Sequence, residues 1–219
     1  MMKAYVFDAY GTLFDVHSAV RSCAINVGPQ ADRLSEIWRA KQLEYTWVLT
    51  LSGVYENFET LTAQALDFAL EKCGIYDISL RADLLAAYDQ VAAFPEVKET
   101  LRSLKAKGAK LAILSNGTPR MLNAAVANAG LSGLFDALFS VDTIKKFKPD
   151  KSTYALACDG LKLRPNEISF QSSNRWDIAG ATQFGFRAVW INRTNQPDEY
   201  PGLPAQMTLS SLTELDKLT

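Results

Sequence analysis

The stretch AYVFDAYGT, residues 4–12, decides how the chain is to be read. Ala4, Tyr5, Val6 and Phe7 form a run too short for a helix and apolar on both faces, the pattern of a strand buried inside a parallel sheet. The run ends in Asp8, and a carboxylate at the end of a buried strand is costly unless something holds or uses it. Similar runs recur downstream: AKLAILSN (109–116), FDALFSV (135–141), EISFQSSN (167–174) and RAVWIN (187–192). Helical segments separate them. Pro95 opens one that runs through Leu104 and closes at Gly108; PRMLNAAVANAG ends in Gly130; DKSTYALACDGL starts at Asp150 or Ser152, either of which can cap it. WDIAGATQFG and SLTELDKL complete the set. Strands alternating with helices at this spacing predict an α/β fold, a Rossmann-like parallel sheet with helices on both faces.

Residues 16–92 break this rhythm. DRLSEIWRAKQLEYTWVLTL places Leu34, Ile37, Trp38, Lys41, Tyr45 and Val48 at three- and four-residue spacing, one face of a helix. FETLTAQALDFALEKCG repeats the pattern with Leu61, Ala65, Leu66 and Leu70 until Gly74, and LRADLLAAYDQV is a shorter third helix. The expected organisation is a core of residues 1–15 and 93–219 with an inserted helical cap, four-helix-bundle-like, at 16–92. A net charge of −1 gives no basic field for nucleic acid or a membrane surface. No run approaches the roughly 20 apolar residues of a membrane-spanning helix. The first residues, MMKAYVFDAY, do not read as a signal peptide, so a cytoplasmic protein is expected. Cys23, Cys73 and Cys158 are odd in number and far apart, and are expected to be free and mostly buried. The single histidine, His17, rules out a His-rich metal cage and is expected to be structural or solvated.

Ligands of open α/β sheets bind at the carboxyl ends of the strands. Those ends carry Asp8, Tyr10 and Thr12 after the first strand, and Ser115, Asn116 and Gly117 after the second. Ser172, Asn174 and Asp177 follow the fourth, and Lys145, Lys146 and Lys148 lie in the loop after the third. One polar strand end is ordinary turn chemistry; several converging on one edge make a site.

These motifs resemble the haloacid dehalogenase superfamily: DAYGT its first, LSNG its second, Lys148 in KFKPD its third and SSNRWD its fourth. In that superfamily the first Asp is a nucleophile. Most members are phosphohydrolases with Asp-x-Asp, whose second Asp acts as general acid and which bind Mg²⁺. Here Tyr10 stands at that second position, and the fourth motif offers one displaced acid, Asp177. Tyrosine replaces the carboxylate neither as a Mg²⁺ ligand nor as an acid matched to neutral pH. DAYGT, SSNRWD, WRAKQLEYTW (38–47) and WINR (190–193) instead resemble the L-2-haloacid dehalogenase subfamily.

The resemblance implies hydrolysis of short L-2-haloalkanoic acids to D-2-hydroxy acids, without metal or cofactor. The alternative is a Mg²⁺-dependent phosphohydrolase of the same superfamily. A third reading, a relic of the fold that binds without turnover, has no use for an intact nucleophile, lysine and second acid together. The expected catalytic residues are Asp8 (nucleophile), Thr12, Arg39, Ser115, Asn116, Lys148, Tyr154, Ser172, Asn174 and Asp177, the last activating water. Tyr10, Leu43, Phe58 and Trp176 are expected to wall the substrate's alkyl group, with Arg39, Ser115 and Asn116 contacting its halogen and carboxylate. A homodimer is implied by the resemblance, with no nucleic-acid or membrane partner. Gln171 departs from the pattern, since an apolar residue is usual there.

Overall fold

The computed structural model describes residues 2–218, with side chains through Leu215. Its strands are β1 (Ala4–Phe7), β2 (Lys110–Ser115), β3 (Ala137–Ser140), β4 (Ile168–Ser172), β5 (Arg187–Ile191) and β6 (Met207–Leu209). They form one parallel sheet in the order β3-β2-β1-β4-β5-β6. The central β1 sets Phe7 beside Ile113 of β2 and Gln171 of β4.

The period of two along each strand sorts side chains into two cores. Tyr5, Phe7, Leu111 and Ile113 face one core, shared with α6 (Val97–Ala106), α7 (Pro119–Asn128) and the helices that follow β1 in sequence. Ala4, Val6, Ala112, Leu114 and Phe170 face the other, packed against Tyr154, Ala157 and Leu161 of α8 (Lys151–Leu161) and Ile178 and Ala181 of α9 (Arg175–Phe184). Helices cover both faces, as the alternation of elements requires.

After β1 the chain forms α1 (Ser18–Ser22), α2 (Ala24–Val27), α3 (Ala31–Ser52), α4 (Phe58–Lys72) and α5 (Ile78–Asp89). Asn57 caps α4 by accepting from the Thr60 amide, and Asp77 caps α5 through the amides of Ser79 and Leu80. Trp38 of α3 donates its indole N–H to the Thr62 carbonyl of α4 at 2.9 Å and fixes that pair of helices. The entry and exit of this segment run side by side, with Phe14 bridged to Ala93 and the Asp15 amide donating to the Ala92 carbonyl at 2.8 Å. Arg120 of α7 ties the segment down, pairing with both Glu59 and Asp89.

Three details differ from the sequence reading. β6 is an additional strand: it has three residues, follows a long polar loop and pairs only at the sheet edge, so no apolar run announces it. The last helix is a 3-10 turn from Leu212 to Leu218. The cysteines are free but all partly exposed, because Cys23 and Cys73 terminate α1 and α4 and Cys158 lies on a half-covered flank of α8. Asp150 is the cap of α8.

Candidate active site

Asp8 continues the line of β1, its amide donating to the Gln171 carbonyl at 2.9 Å. The chain then turns through Gly11, whose φ of +96° suits glycine. The amides of Thr12, Leu13 and Phe14 all point at the Ala9 carbonyl. That turn folds Thr12 back, so its hydroxyl donates to Asp8 Oδ2 at 3.0 Å while accepting from the Ser173 amide at 2.8 Å. The loop after β4 brings the Asn174 side-chain amide to the same Oδ2 at 2.8 Å, and the Ser172 hydroxyl to 3.5 Å. Ser172 also accepts from the Asn174 amide at 3.1 Å. Asn174 occupies the N-cap position of α9 without capping it; its side chain is turned to Asp8 instead.

The other Asp8 oxygen faces Lys148, whose ammonium lies 3.1 Å from Asp8 Oδ1 and 2.9 Å from Asp177 Oδ2. All three side chains are buried. Tyr154 donates to Asp177 Oδ1 at 2.8 Å, and the Asn116 side-chain carbonyl accepts from the Lys148 amide at 3.0 Å. Ser115 accepts from the Gly117 amide at 3.1 Å. Lys145 and Lys146 stay outside, in exposed pairs with Asp142 and Asp150.

Burial dominates the electrostatics. It pushes the Asp177 carboxyl up to about 6; Lys148 pulls the other way and the Asp8 charge adds to the rise. For Lys148 burial opposes the charge, but the two carboxylates outweigh it and hold the ammonium above its ordinary range. Tyr154 is pushed up by burial and by Asp177, so it remains a donor.

From the helical side, Arg39 of α3 donates to the Tyr10 carbonyl at 3.0 Å and to the Asn174 side-chain oxygen at 3.4 Å. Among the described residues it pairs with no carboxylate, so its cation is left for an anionic ligand. Arg39, Leu43, Asn174 and Trp176 line a cavity of about 540 Å³. Trp176 meets Trp47 edge to face at 5.6 Å. Tyr10 and Phe58 are buried, their ring centroids 6.1 Å apart, and Phe58 also lies 6.3 Å from Phe147. Asp8, Thr12, Lys148, Tyr154, Ser172, Asn174 and Asp177 are thus joined by hydrogen bonds at one strand edge, while Trp176 lines the cavity and Tyr10 and Phe58 belong to a separate buried aromatic cluster. His17 is exposed, is bonded to Ser35 at 2.7 Å and lines the same cavity as Arg39 and Asn174 without touching Asp8.

Several residues here went unassigned in the sequence. Arg193 donates to the Thr12 carbonyl at 3.0 Å and pairs with Glu96, bracing the turn. Arg175 is buried between Trp190 and Tyr200 and holds Asp198 at 2.7 Å. Tyr88 of α5 stacks on Tyr10 at 5.5 Å. WINR and SSNRWD contain Arg193 and Arg175 without giving either a role, and Tyr88 reads as an ordinary helix residue. Gln171 faces inward, its amide on the Ser169 hydroxyl at 2.6 Å and its carbonyl oxygen unpartnered, so half of its polar demand is met by its own strand.

A family model described as haloacid dehalogenase-like hydrolase matches residues 2–185. The chain belongs to this family. Among haloacid dehalogenase-like hydrolases it is 50% identical over 218 residues to (S)-2-haloacid dehalogenase 1 of Pseudomonas sp. strain CBS-3, covering 99% of this chain and 96% of that one. A crystal structure of a dehalogenase superposes with a TM-score of 0.98 at 46% identity, covering 100% of this chain and 97% of the other. L-2-haloacid dehalogenase from Xanthobacter autotrophicus, solved with chloropropionic acid covalently bound, superposes with a TM-score of 0.89 at 37% identity over 100% of this chain and 98% of that one.

Proposed function

We propose that the protein hydrolyses short L-2-haloalkanoic acids to D-2-hydroxy acids and halide, through an ester on Asp8, with inversion at carbon 2 and no metal. One observation carries this reading: the buried Lys148 ammonium sits between two carboxylates, Asp8 and Asp177, with Tyr10 where a second acid would be needed. The same observation disfavours the phosphohydrolase. Lys148 belongs to the third motif of the whole superfamily and does not discriminate; Tyr10, whose ring enters an aromatic stack, leaves no second carboxylate there for a divalent cation. A phosphoester also needs an acid for its leaving alkoxide, whereas halide is a weak base and leaves without a proton.

The chemistry then assigns the groups. Thr12, Ser172 and Asn174 hold Asp8 Oδ2, which leaves Oδ1 the freer lone pair to attack carbon 2 from behind. The carbon–halogen pair departs with the halide toward Arg39. Ser115 and Asn116 take the substrate carboxylate and halide, and Tyr10, Leu43, Phe58 and Trp176 wall its alkyl group. The resulting ester is attacked at its carbonyl by water whose proton passes to Asp177; the acyl carbon–oxygen bond then breaks, Asp8 is regenerated, and the alkoxide leaves as the D-2-hydroxy acid by taking that proton. A carboxylate near 6 is suited to that step at neutral pH. Lys148 and Tyr154 hold Asp177 in place. Replacement of bulk water around Asp8 by these fixed donors favours the attack. Residues 16–92 act as the cap over a core of 1–15 and 93–219. A cytoplasmic homodimer completes the reading, supported by the free thiols and by the exposed Val48, Leu51 and Val54 at the end of α3.

The test is halide release from each enantiomer of 2-chloropropionate under excess EDTA, with wild type and Asp8→Asn. Release from the L-form alone, abolished by the substitution, is expected. No halide from either enantiomer, beside Mg²⁺-dependent cleavage of an aryl phosphate, would overturn the reading.

A further inference from the structure

Arg193 lies just beyond the end of β5 and closes on three groups at once. Its guanidinium donates to the Thr12 carbonyl at 3.0 Å, pairs with the Glu96 carboxylate and lies over the Phe94 ring at 3.9 Å. Those groups stand on the two crossings between the sheet and the helical segment. Thr12 belongs to the outgoing crossing, Phe94 and Glu96 to the returning one, and the Phe94 amide donates to the Leu13 carbonyl at 3.0 Å. Thr12 is fully buried, so its carbonyl draws its donor from the protein. The hydroxyl of the same residue donates to Asp8 Oδ2 at 3.0 Å. A line of contacts thus runs from the returning crossing through Arg193 and Thr12 to Asp8.

We propose that Arg193 is a positioning residue: it fixes the Thr12 backbone, and through the Thr12 hydroxyl it holds Asp8 in line with carbon 2. This rests on the dehalogenase reading. Displacement needs the attacking oxygen, the carbon and the halogen in one line, and a misplacement of about 1 Å can cost about a hundredfold in rate. The turn's own amides converge on the Ala9 carbonyl; the bond from Arg193 reaches the Thr12 carbonyl from outside the turn and ties it to β5. Glu96 offsets the Arg193 charge, so the role is geometric rather than an added field on the substrate. A planar guanidinium meets a carbonyl and a carboxylate together while resting on a ring, which an ammonium does not. Arg193 also lines the cavity shared by Arg39 and Asn174, so a direct contact with the substrate carboxylate is the rival that the experiment separates.

A double-mutant cycle does so. Alkylation of Asp8 is followed as the halide burst in single turnover of L-2-chloropropionate, for wild type, Arg193→Met, Thr12→Val and the two combined. Arg193→Met is expected to slow the burst about tenfold or more alone, and less than about twofold beside Thr12→Val, where the line of contacts is already cut. The Ki of propionate, which lacks the halogen, should stay unchanged, and the loss should not shrink with added salt. Arg193→Lys keeps the charge and a donor but cannot span Thr12 and Glu96 together. Run through the same cycle, it should give a smaller loss with the same non-additivity, and it carries the test if the Met variant melts. Equal fold losses in both backgrounds would overturn the proposal, since Arg193 would then act without Thr12. A raised propionate Ki with an unchanged burst would also overturn it, as the mark of a direct substrate contact. Absence of a burst in the wild type sinks the dehalogenase reading and this proposal with it, whereas additive losses beside a normal wild-type burst sink this proposal alone.

Discussion

Replacing Lys148 with Met removes the cation that two buried carboxylates share while keeping most of the side chain's volume. Breaking a buried ion pair by deleting one partner costs about 3–5 kcal/mol, because the remaining charge is left uncompensated. Lys148 serves two acids, so the strain falls on Asp8 and Asp177 together, and one of them escapes by taking a proton. At pH 7.5 protonating an Asp of ordinary pKa costs about 5 kcal/mol. The wild type already carries about 3 kcal/mol of this, since burial holds its Asp177 near 6 rather than 3.8. About 2 kcal/mol of the mutational loss is therefore pH-dependent. Its sign follows from the raised folded-state pKa: the penalty is full above that pKa and fades as pH falls through it toward the unfolded value. Urea unfolding of both proteins at pH 7.5 and pH 4.5 measures this. A loss of about 3–5 kcal/mol is expected at pH 7.5, smaller by about 2 kcal/mol at pH 4.5. A loss below about 1 kcal/mol, or one that grows on acidification, would refute the buried triad as described.

Asp177→Asn should still release one halide per site in a rapid burst and then stop, with the protein gaining the mass of the bound acid; steady turnover by this variant would remove Asp177 from the hydrolytic step. In the wild type, turnover should fall below about pH 6 as Asp177 takes up a proton, a limb read directly from a kcat–pH profile. Gly180→Ala would place a Cβ 2.4 Å from the Tyr154 hydroxyl and 2.7 Å from Pro149 Cβ, so a stability loss of about 1–3 kcal/mol is expected in thermal melts. Displacing Tyr154 also removes a donor from Asp177, which should move the acidic limb to higher pH.

Part of the candidate site was legible because Asp8, Ser115, Asn116, Ser172, Asn174 and Asp177 end a strand or begin the helix after it, whereas Arg39 inside α3, Lys148 in a loop and Tyr154 inside α8 were reached only through the family resemblance. Asp8, Ser115 and Ser172 terminate apolar runs, and such a terminus can lie only at the sheet's carboxyl edge. Partnerships were less legible. Asn174 has the right type and place to cap α9, and only the fold shows that its amide goes to Asp8. Trp38 and Phe58 occupy helix positions whose periodicity predicts burial, yet nothing local says that one binds a neighbouring helix and the other packs against Tyr10 and Phe147. Tyr88 and Arg175 were missed for the same reason: their meaning lies in rings contributed from distant segments. β6 was invisible because three residues at an edge carry almost no pattern.

The position of β1 at the middle of the sheet has a consequence for how the protein is made. β1 leaves the ribosome before its neighbours, β2 and β4, which begin only at Lys110 and Ile168. At rates of about 5–20 residues per second, β1 waits on the order of ten seconds for its second partner. The helices between Ser18 and Asp89 make mostly nearby contacts and form readily in that interval. Asp8 meets Lys148, Asn174 and Asp177 only when the last third of the chain has emerged. The Asp8 carboxylate is thus synthesised long before the groups that enclose it, and it has no working surroundings until the segment carrying Lys148, Asn174 and Asp177 has folded against it.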